Sequence, residues 1–247
     1  MTDAIILNLD ETDLVLESVR RLRSEKFKGH VGKIIIVDNG SEDAERLTFL
    51  NDVELILVGS NKGASTARNL GLEKTTAQYV FLLDGDILYI PKSIPRMVEL
   101  AKTLPEFGCL GVHNPHRLNG TQQRDEADIT FPEDPGKPFS DFDMAWTQFG
   151  LFNGKMLREK RFFEEGVYGE AGNGYEDDWL WNEMHQDDYI SYYLPKPLYY
   201  HEQHGGQRWL DKKGIENKNE ERKALFVAKW GKTWYEKERH YEYTKTL

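Results

Sequence analysis

Cysteine is nearly missing from this sequence. Cys109 is the single one, so no internal disulfide can form, and such a chain fits a reducing compartment. Its surroundings, Phe107-Gly108-Cys109-Leu110-Gly111-Val112, read as a buried strand, where a thiol is inert. Long hydrophobic runs are missing too: no stretch approaches the roughly 20 apolar residues of a membrane helix. Met1-Thr2-Asp3 leads directly into a short strand-like run and carries no signal-peptide pattern. These features point to a cytoplasmic protein, with peripheral attachment to a membrane left open. Excess positive charge is also lacking. A net charge of −10 argues against broad electrostatic binding to nucleic acid, while leaving room for a local basic patch. Residues 207–247 hold eleven Lys/Arg against seven Asp/Glu, read first as a solvated helical face, or else as a surface for an acidic acceptor or a membrane. Internal repeats and low-complexity tracts are absent. What remains is an ordinary globular composition, 39% hydrophobic and 30% charged over 247 residues, enough for one large α/β domain.

The pattern along the chain alternates strand and helix. Ala4 to Leu9 reads as a first strand and Asp13 to Arg23 as an amphipathic helix, with Val15, Val19 and Leu22 at helical spacing. Lys33 to Val37 is a nearly continuous β-branched run, typical of a strand buried on both faces. Strands follow at Val53 to Val58, Gln78 to Leu83 and Gly108 to Val112, with helices at Ala64 to Thr75 and Ile94 to Thr103. Such alternation implies right-handed crossovers and a mostly parallel, Rossmann-like sheet flanked by helices. Ligands of such sheets bind beyond the carboxyl ends of the strands. Residues 113–143 break the pattern with Pro115, Pro132, Pro135 and Pro138, and read as a lid, a binding loop or a disordered segment. Thereafter the chain is rich in aromatics, including Trp146, Trp179, Trp181, Trp209, Trp230 and Trp234.

Chemistry concentrates at five places. Tyr79 to Leu83 is a strand that ends in Asp84-Gly85-Asp86. Alternation along an extended chain points both carboxylates the same way, and Gly85 leaves room for a ligand near the backbone. Two hard oxygen donors suit Mg2+ or Mn2+ carrying a diphosphate. The competing reading is a hairpin turn. Asp38-Asn39-Gly40-Ser41 ends another strand, where Asp38 could accept from a nucleobase or ribose or could simply close an Asx turn. Asn61-Lys62-Gly63 precedes a helix that carries Arg68; free amides and a guanidinium there could face a phosphate, although the Gly-Lys-Ser/Thr ending of a P-loop is absent. The alternative is a helix packed on the sheet through Ala64 and Ala67. Glu176-Asp177-Asp178 precede Trp179-Leu180-Trp181, either as helix-stabilising acids or as a carboxylate whose pKa is raised in a water-poor pocket to make a general base. His201 and His204 lie beside Gly205-Gly206 and are candidates for metal or phosphate contact.

Taken in order, Ile34-Ile35-Ile36-Val37-Asp38-Asn39-Gly40-Ser41, Asn61-Lys62-Gly63, Ala67-Arg68-Asn69-Leu70-Gly71, Leu82-Leu83-Asp84-Gly85-Asp86, Glu176-Asp177 and His201 resemble the inverting family-2 glycosyltransferases of GT-A fold. That resemblance covers residues 4–206. It implies a GT-A α/β domain over 1–206, with 1–112 as the nucleotide-binding half and 113–206 as the lid and acceptor half, followed by a helical extension over 207–247. It implies a metal-dependent transfer of a sugar from a nucleoside-diphosphate sugar, UDP by default, to an acceptor hydroxyl. In it Asp38, Asn39, Asn61, Lys62, Gly63, Arg68, Asp84 and Gly85 surround the nucleotide, Asp86 and His201 hold Mn2+ or Mg2+, and Asp177 deprotonates the acceptor. Glu176, Asp178, Trp179 and His204 fall on the acceptor side. The acceptor class stays open among a glycan, a lipid-linked sugar, a protein and a modified nucleic acid.

Two departures from the family pattern matter. The family's Glu-Asp-x-Asp-Leu reads Glu176-Asp177-Asp178-Trp179-Leu180 here, leaving Asp177 and Asp178 as alternative bases. The first strand ends Leu7-Asn8-Leu9-Asp10 rather than in Pro-Thr/Ser-Tyr-Asn. The Glu-Asp-Asp-Trp-Leu-Trp run is also similar to galactosyl- and N-acetylgalactosaminyl-type transferases, so a retaining outcome stays open. The rival functions are a nucleotidyltransferase of related fold and a non-catalytic sugar- or nucleotide-binding domain on a degenerate transferase scaffold.

Overall fold

The computed structural model describes residues 1–112, 116–117, 139–140, 147–164, 175–194, 198–201, 211–214, 216 and 218–231. Four parallel strands open the chain's main sheet: β1 (Thr2–Asn8), β2 (Ile34–Asp38), β3 (Glu54–Leu57) and β4 (Tyr79–Asp84). Helix α1 (Thr12–Phe27) joins the first two, and α2 (Ala64–Leu72) precedes the fourth. Beyond β4 come β6 (Phe107–Val112), β8 (Phe139–Ser140), β9 (Phe149–Asn153) and β10 (Ile190–Leu194), with helices α3 (Ser93–Ala101), α4 (Gly154–Lys160) and α5 (Glu176–His185) among them. The spatial order is β3-β2-β1-β4-β9-β6-β10-β8. A second sheet of three short strands sets β11 (Tyr199–His201) between β5 (Ile87–Tyr89) and β7 (His116–Arg117). Helix α6 (Asn219–Trp230) closes the described chain.

Period-two alternation builds the two cores on either face of the sheet. Ala4, Ile6, Ile34, Ile36, Phe81 and Leu83 fall in one cluster, with Val15, Val19 and Leu22 of α1. Ile5, Ile35, Val37, Val80 and Leu82 fall in the other, against Ala67 of α2 and Leu180 of α5. The side-chain period fixes this division, since a register slip of one residue would exchange the faces. All five residues of β2 are buried, as a strand covered on both faces requires.

Some details differ from the sequence-based expectations or add to them. Helix α2 stops at Leu72 rather than Thr75, because Thr75 turns its hydroxyl to Asp3 Oδ2 at 2.6 Å and accepts from Ala77 N at 3.0 Å. That local bond competes with another helical turn. Strand β9 enters antiparallel between β4 and β6, within the mostly parallel sheet that the alternation predicts. Gly85-Asp86 does form a turn, but not a hairpin: β5 leaves the large sheet and pairs antiparallel with β11. Most of the expected lid, 113–143, lies outside the described residues; within it, β7 runs parallel to β11 and β8 antiparallel to β10. No described helix is long and apolar enough to cross a membrane.

Phe81 sits fully buried where the sheet meets the second layer, edge-on to Phe149 at 4.9 Å and to Tyr89 at 6.4 Å. Phe81→Ala is expected to cost about 3–5 kcal/mol of stability, read as a lowered urea midpoint at unchanged slope.

Candidate active site

The parallel register brings the ends of three strands to one rim. Asn8 lies opposite Asp38, and Leu7 lies opposite Asp84. At the first end, Asp38 closes an Asx turn: one oxygen accepts from Gly40 N at 3.1 Å and Ser41 N at 3.0 Å, and the other from Asn8 Nδ2 at 2.8 Å. Asn39 then ties this turn to the loop before α2. Its amide donates to Asn61 Oδ1 at 2.9 Å, and its own oxygen accepts from Lys62 N at 3.0 Å. Asn61 Oδ1 also accepts from Gly63 N at 2.9 Å. Gly40 makes this closeness possible: its φ is +99°, and a Cβ there would stand 2.7 Å from the Ser60 backbone. The Lys62 side chain remains exposed, and Gly63 opens α2 with φ +84° and no side-chain cap.

A group of acids gathers around one buried cation. Arg68, 4% exposed, donates from Nη2 to Asp84 Oδ1 at 2.9 Å, and its Nη1 lies 3.8 Å from Glu176 Oε1. Its guanidinium carbon stands 5.4 Å from the centre of the Phe162 ring. The guanidinium is therefore held among carboxylates. Burial works against its charge, but Asp84, Asp177 and Glu176 outweigh that and raise its pKa. Asp177 accepts from the Thr147 hydroxyl. Burial first, then the neighbouring charge of Glu176, pushes the Asp177 carboxyl well above the usual carboxylate range, with Arg68 and Thr147 opposing. Burial likewise raises Asp84; Arg68 opposes, and the charge of Asp86 adds to the rise. The sequence leaves Asp177 and Asp178 as alternatives, and it is Asp177 that joins this group, while Asp178 is buried and turns its carbonyl to Asn182 Nδ2 at 2.8 Å.

Beside this group, His201 Nε2 lies 3.2 Å from Asp86 Oδ2. The antiparallel pairing of β11 with β5, His201 opposite Ile87, makes that approach possible. Among the described residues no group of three or more His, Cys, Asp or Glu is arranged to hold a metal ion. The expected room at Gly85 is taken by the chain itself, since a Cβ there would meet Leu7 O at 2.9 Å and Asn8 Oδ1 at 3.3 Å. Trp179 is 4% exposed, stacked on Phe163 at 4.1 Å and edge-on to Phe226 of α6 at 6.4 Å, so it packs α5 against the C-terminal helix. His204 lies outside the described residues.

Sequence reasoning missed the short entry to β9. Thr147 reaches Asp177, Gln148 O accepts from Asp84 N at 2.9 Å, and Gln148 Nε2 donates to Tyr199 Oη at 3.0 Å. Neither residue belongs to a charged cluster or a glycine turn, and nothing in the local pattern signals an antiparallel strand beside β4.

Comparison with known proteins gives the family and the fold. A model of glycosyl transferase family 2 matches residues 3–166. A Haemophilus influenzae protein described as an uncharacterized glycosyltransferase is 21% identical over 193 residues, 77% of this chain and 63% of that protein. The glycosyltransferase AglE of Haloferax volcanii is 25% identical over 88 residues, covering 33% of this chain and 29% of its own. This chain thus spans less than two thirds of either relative. Among solved structures, residues 1–349 of S. aureus TarS in complex with UDP-GlcNAc superpose with a TM-score of 0.60 at 14% identity, covering 82% of this chain and 58% of that one. The likeness extends to the GT-A fold.

The raised carboxyls have a consequence for stability. Without a metal, and between the ordinary carboxylate range and about 8, the native state keeps a proton on Asp177 that the unfolded chain has released. Its contribution is therefore full below the unfolded carboxylate range and is lost as pH rises through the raised value. Asp177→Asn removes that loss. Without divalent cations the variant is expected to exceed the parent by at least about 1 kcal/mol near pH 9, with the gap closing near pH 4, in urea titrations at both pH values.

Proposed function

The chain belongs to glycosyl transferase family 2, and on that premise we propose that it transfers a sugar from a nucleoside-diphosphate sugar to an acceptor hydroxyl, with a divalent metal and with inversion at C1. The observation that carries this reading is the partly buried Asp177, raised in pKa and set among Asp84, Glu176 and Arg68 at the carboxyl rim of the sheet. A carboxylate with its pKa moved toward neutrality is a better general base than an ordinary one.

In this reading residues 1–112 hold the nucleotide, residues 113–206 carry the acceptor side, and residues 207–247 form an extension. The rim formed by Asp38, Asn39, Asn61, Lys62 and Gly63 receives the nucleoside and diphosphate. The uncapped start of α2 supports phosphate there, because helix N-termini offer free amides. Asp38 shapes the rim through its turn, and Arg68 acts on the carboxylates rather than on phosphate. Asp84 faces the ribose. Asp86 and His201, 3.2 Å apart, would hold Mn2+ or Mg2+, a donor pair that suffices when diphosphate oxygens complete the coordination. When bound, that ion supplies positive charge to the departing nucleoside diphosphate. Asp177 takes the acceptor proton as the hydroxyl oxygen attacks C1 from the face opposite the leaving group. UDP is the proposed nucleotide, supported by the UDP-GlcNAc in the TarS structure. The acceptor is a hydroxyl-bearing glycan, lipid-linked sugar, protein or modified nucleic acid, reached by a cytoplasmic enzyme.

Turnover of UDP-sugars tests the reading. The parent is expected to release UDP, not UMP, in the presence of Mn2+. Asp177→Asn should lower kcat by about 10²–10⁴-fold, the contribution of a positioned base. An unchanged kcat in that variant sinks the assignment of the base. The acid limb of kcat/KM should lie above the ordinary carboxylate range, and Glu176→Gln should move it downward, because Glu176 helps to raise Asp177. Asp86→Ala should abolish the response to Mn2+ at unchanged melting temperature; a retained response removes Asp86 from the metal site.

A further inference from the structure

The short entry to β9 touches three separate parts of the site. Thr147 is 1% exposed and donates its hydroxyl proton to Asp177 Oδ1. The next residue, Gln148, accepts from Asp84 N at 2.9 Å through its carbonyl and reaches Tyr199 Oη at 3.0 Å through its amide. Phe149 then stacks on Tyr199 with ring centres 4.4 Å apart, two residues before His201. Three consecutive residues therefore bind the end of β4, the start of α5 and the strand that bears His201.

We propose that Thr147 is a positioning residue for Asp177: its hydroxyl occupies Oδ1 and so presents Oδ2 to the acceptor hydroxyl. This rests on the reading of Asp177 as the base. The physical reason lies in the rotamer. An Asp at the first turn of a helix can rotate about its side-chain bonds, and its terminal torsion is broad. A fixed donor on one oxygen removes that freedom, and a hydroxyl-to-carboxylate bond is among the stronger hydrogen bonds. Gln148 cannot substitute, because its side chain is engaged with Tyr199. Arg68 is bonded through Nη2 to Asp84 and stands 3.8 Å from Glu176 through Nη1, and it acts on Asp177 through its charge. Position matters here because a misplacement of about 1 Å can cost a factor of 10² in rate.

The test uses Thr147→Val, which keeps the shape and removes the hydroxyl, and Thr147→Ser, which restores it. The readout is UDP release from UDP-N-acetylglucosamine with Mn2+ and water as acceptor, alongside the melting temperature and Asp177→Asn measured in parallel. Thr147→Val is expected to lower kcat by about 10-fold or more at a donor KM within about 2-fold of the parent, with Thr147→Ser recovering most of kcat. A parental kcat in Thr147→Val, beside a crippled Asp177→Asn, overturns the positioning role while leaving the base in place. Equal losses in Val and Ser that follow the melting temperature also overturn it, since they describe a packing residue. A parental kcat in Asp177→Asn overturns the base itself, and the proposal falls with it.

Discussion

The site depends on one buried positive charge. Arg68 stands within reach of Asp84 and Glu176, and its charge is felt by Asp177. Without it, three carboxylates would face one another in a space with little water, and like charges in such surroundings cannot all ionise. The cation makes this clustering tolerable rather than comfortable, because Asp84 and Asp177 both stay raised despite it. In the proposed mechanism that residual strain has a use. A carboxylate that holds its proton more tightly than usual is also a carboxylate that accepts one readily.

The main-chain order explains how these groups meet. Parallel strands place their carboxyl ends on one rim, so Asn8, Asp38 and Asp84 are neighbours through register alone. Antiparallel β9 then runs back along β4, and its start reaches that same rim. Residues 147–149 can therefore touch both Asp84 and Asp177, although these two are 93 positions apart in the sequence. The smaller sheet supplies the last piece by holding His201 against Asp86. Aromatic packing between α5 and α6, through Trp179, Phe226 and Trp230, steadies the helix that carries the acids.

Much of this was legible in the sequence, for physical reasons. The β-branched run at Ile34 to Val37 and the alternation around Phe81 encode strands through burial, and burial periodicity is local. Asp38, Asp84 and Asp86 announced themselves because carboxylates after apolar runs are conspicuous. Other parts were hidden because they depend on contacts remote in sequence. Nothing near Arg68 says that its partners are acids rather than a phosphate. Nothing near Gly85 says that its missing side chain makes way for Leu7 O. Thr147 and Gln148 have unremarkable composition, and their roles come from the place of β9 between β4 and β6. Trp179 is a different case: it follows the acids in sequence, and it packs two helices together.

The central claim is that this rim binds a nucleoside diphosphate through a metal held at Asp86 and His201. Titration calorimetry of UDP into the protein, with and without Mn2+, tests it most directly. The account predicts saturable binding that requires Mn2+ in the parent and disappears in Asp86→Ala. Equal binding with and without the ion, or binding unchanged by that substitution, would contradict it.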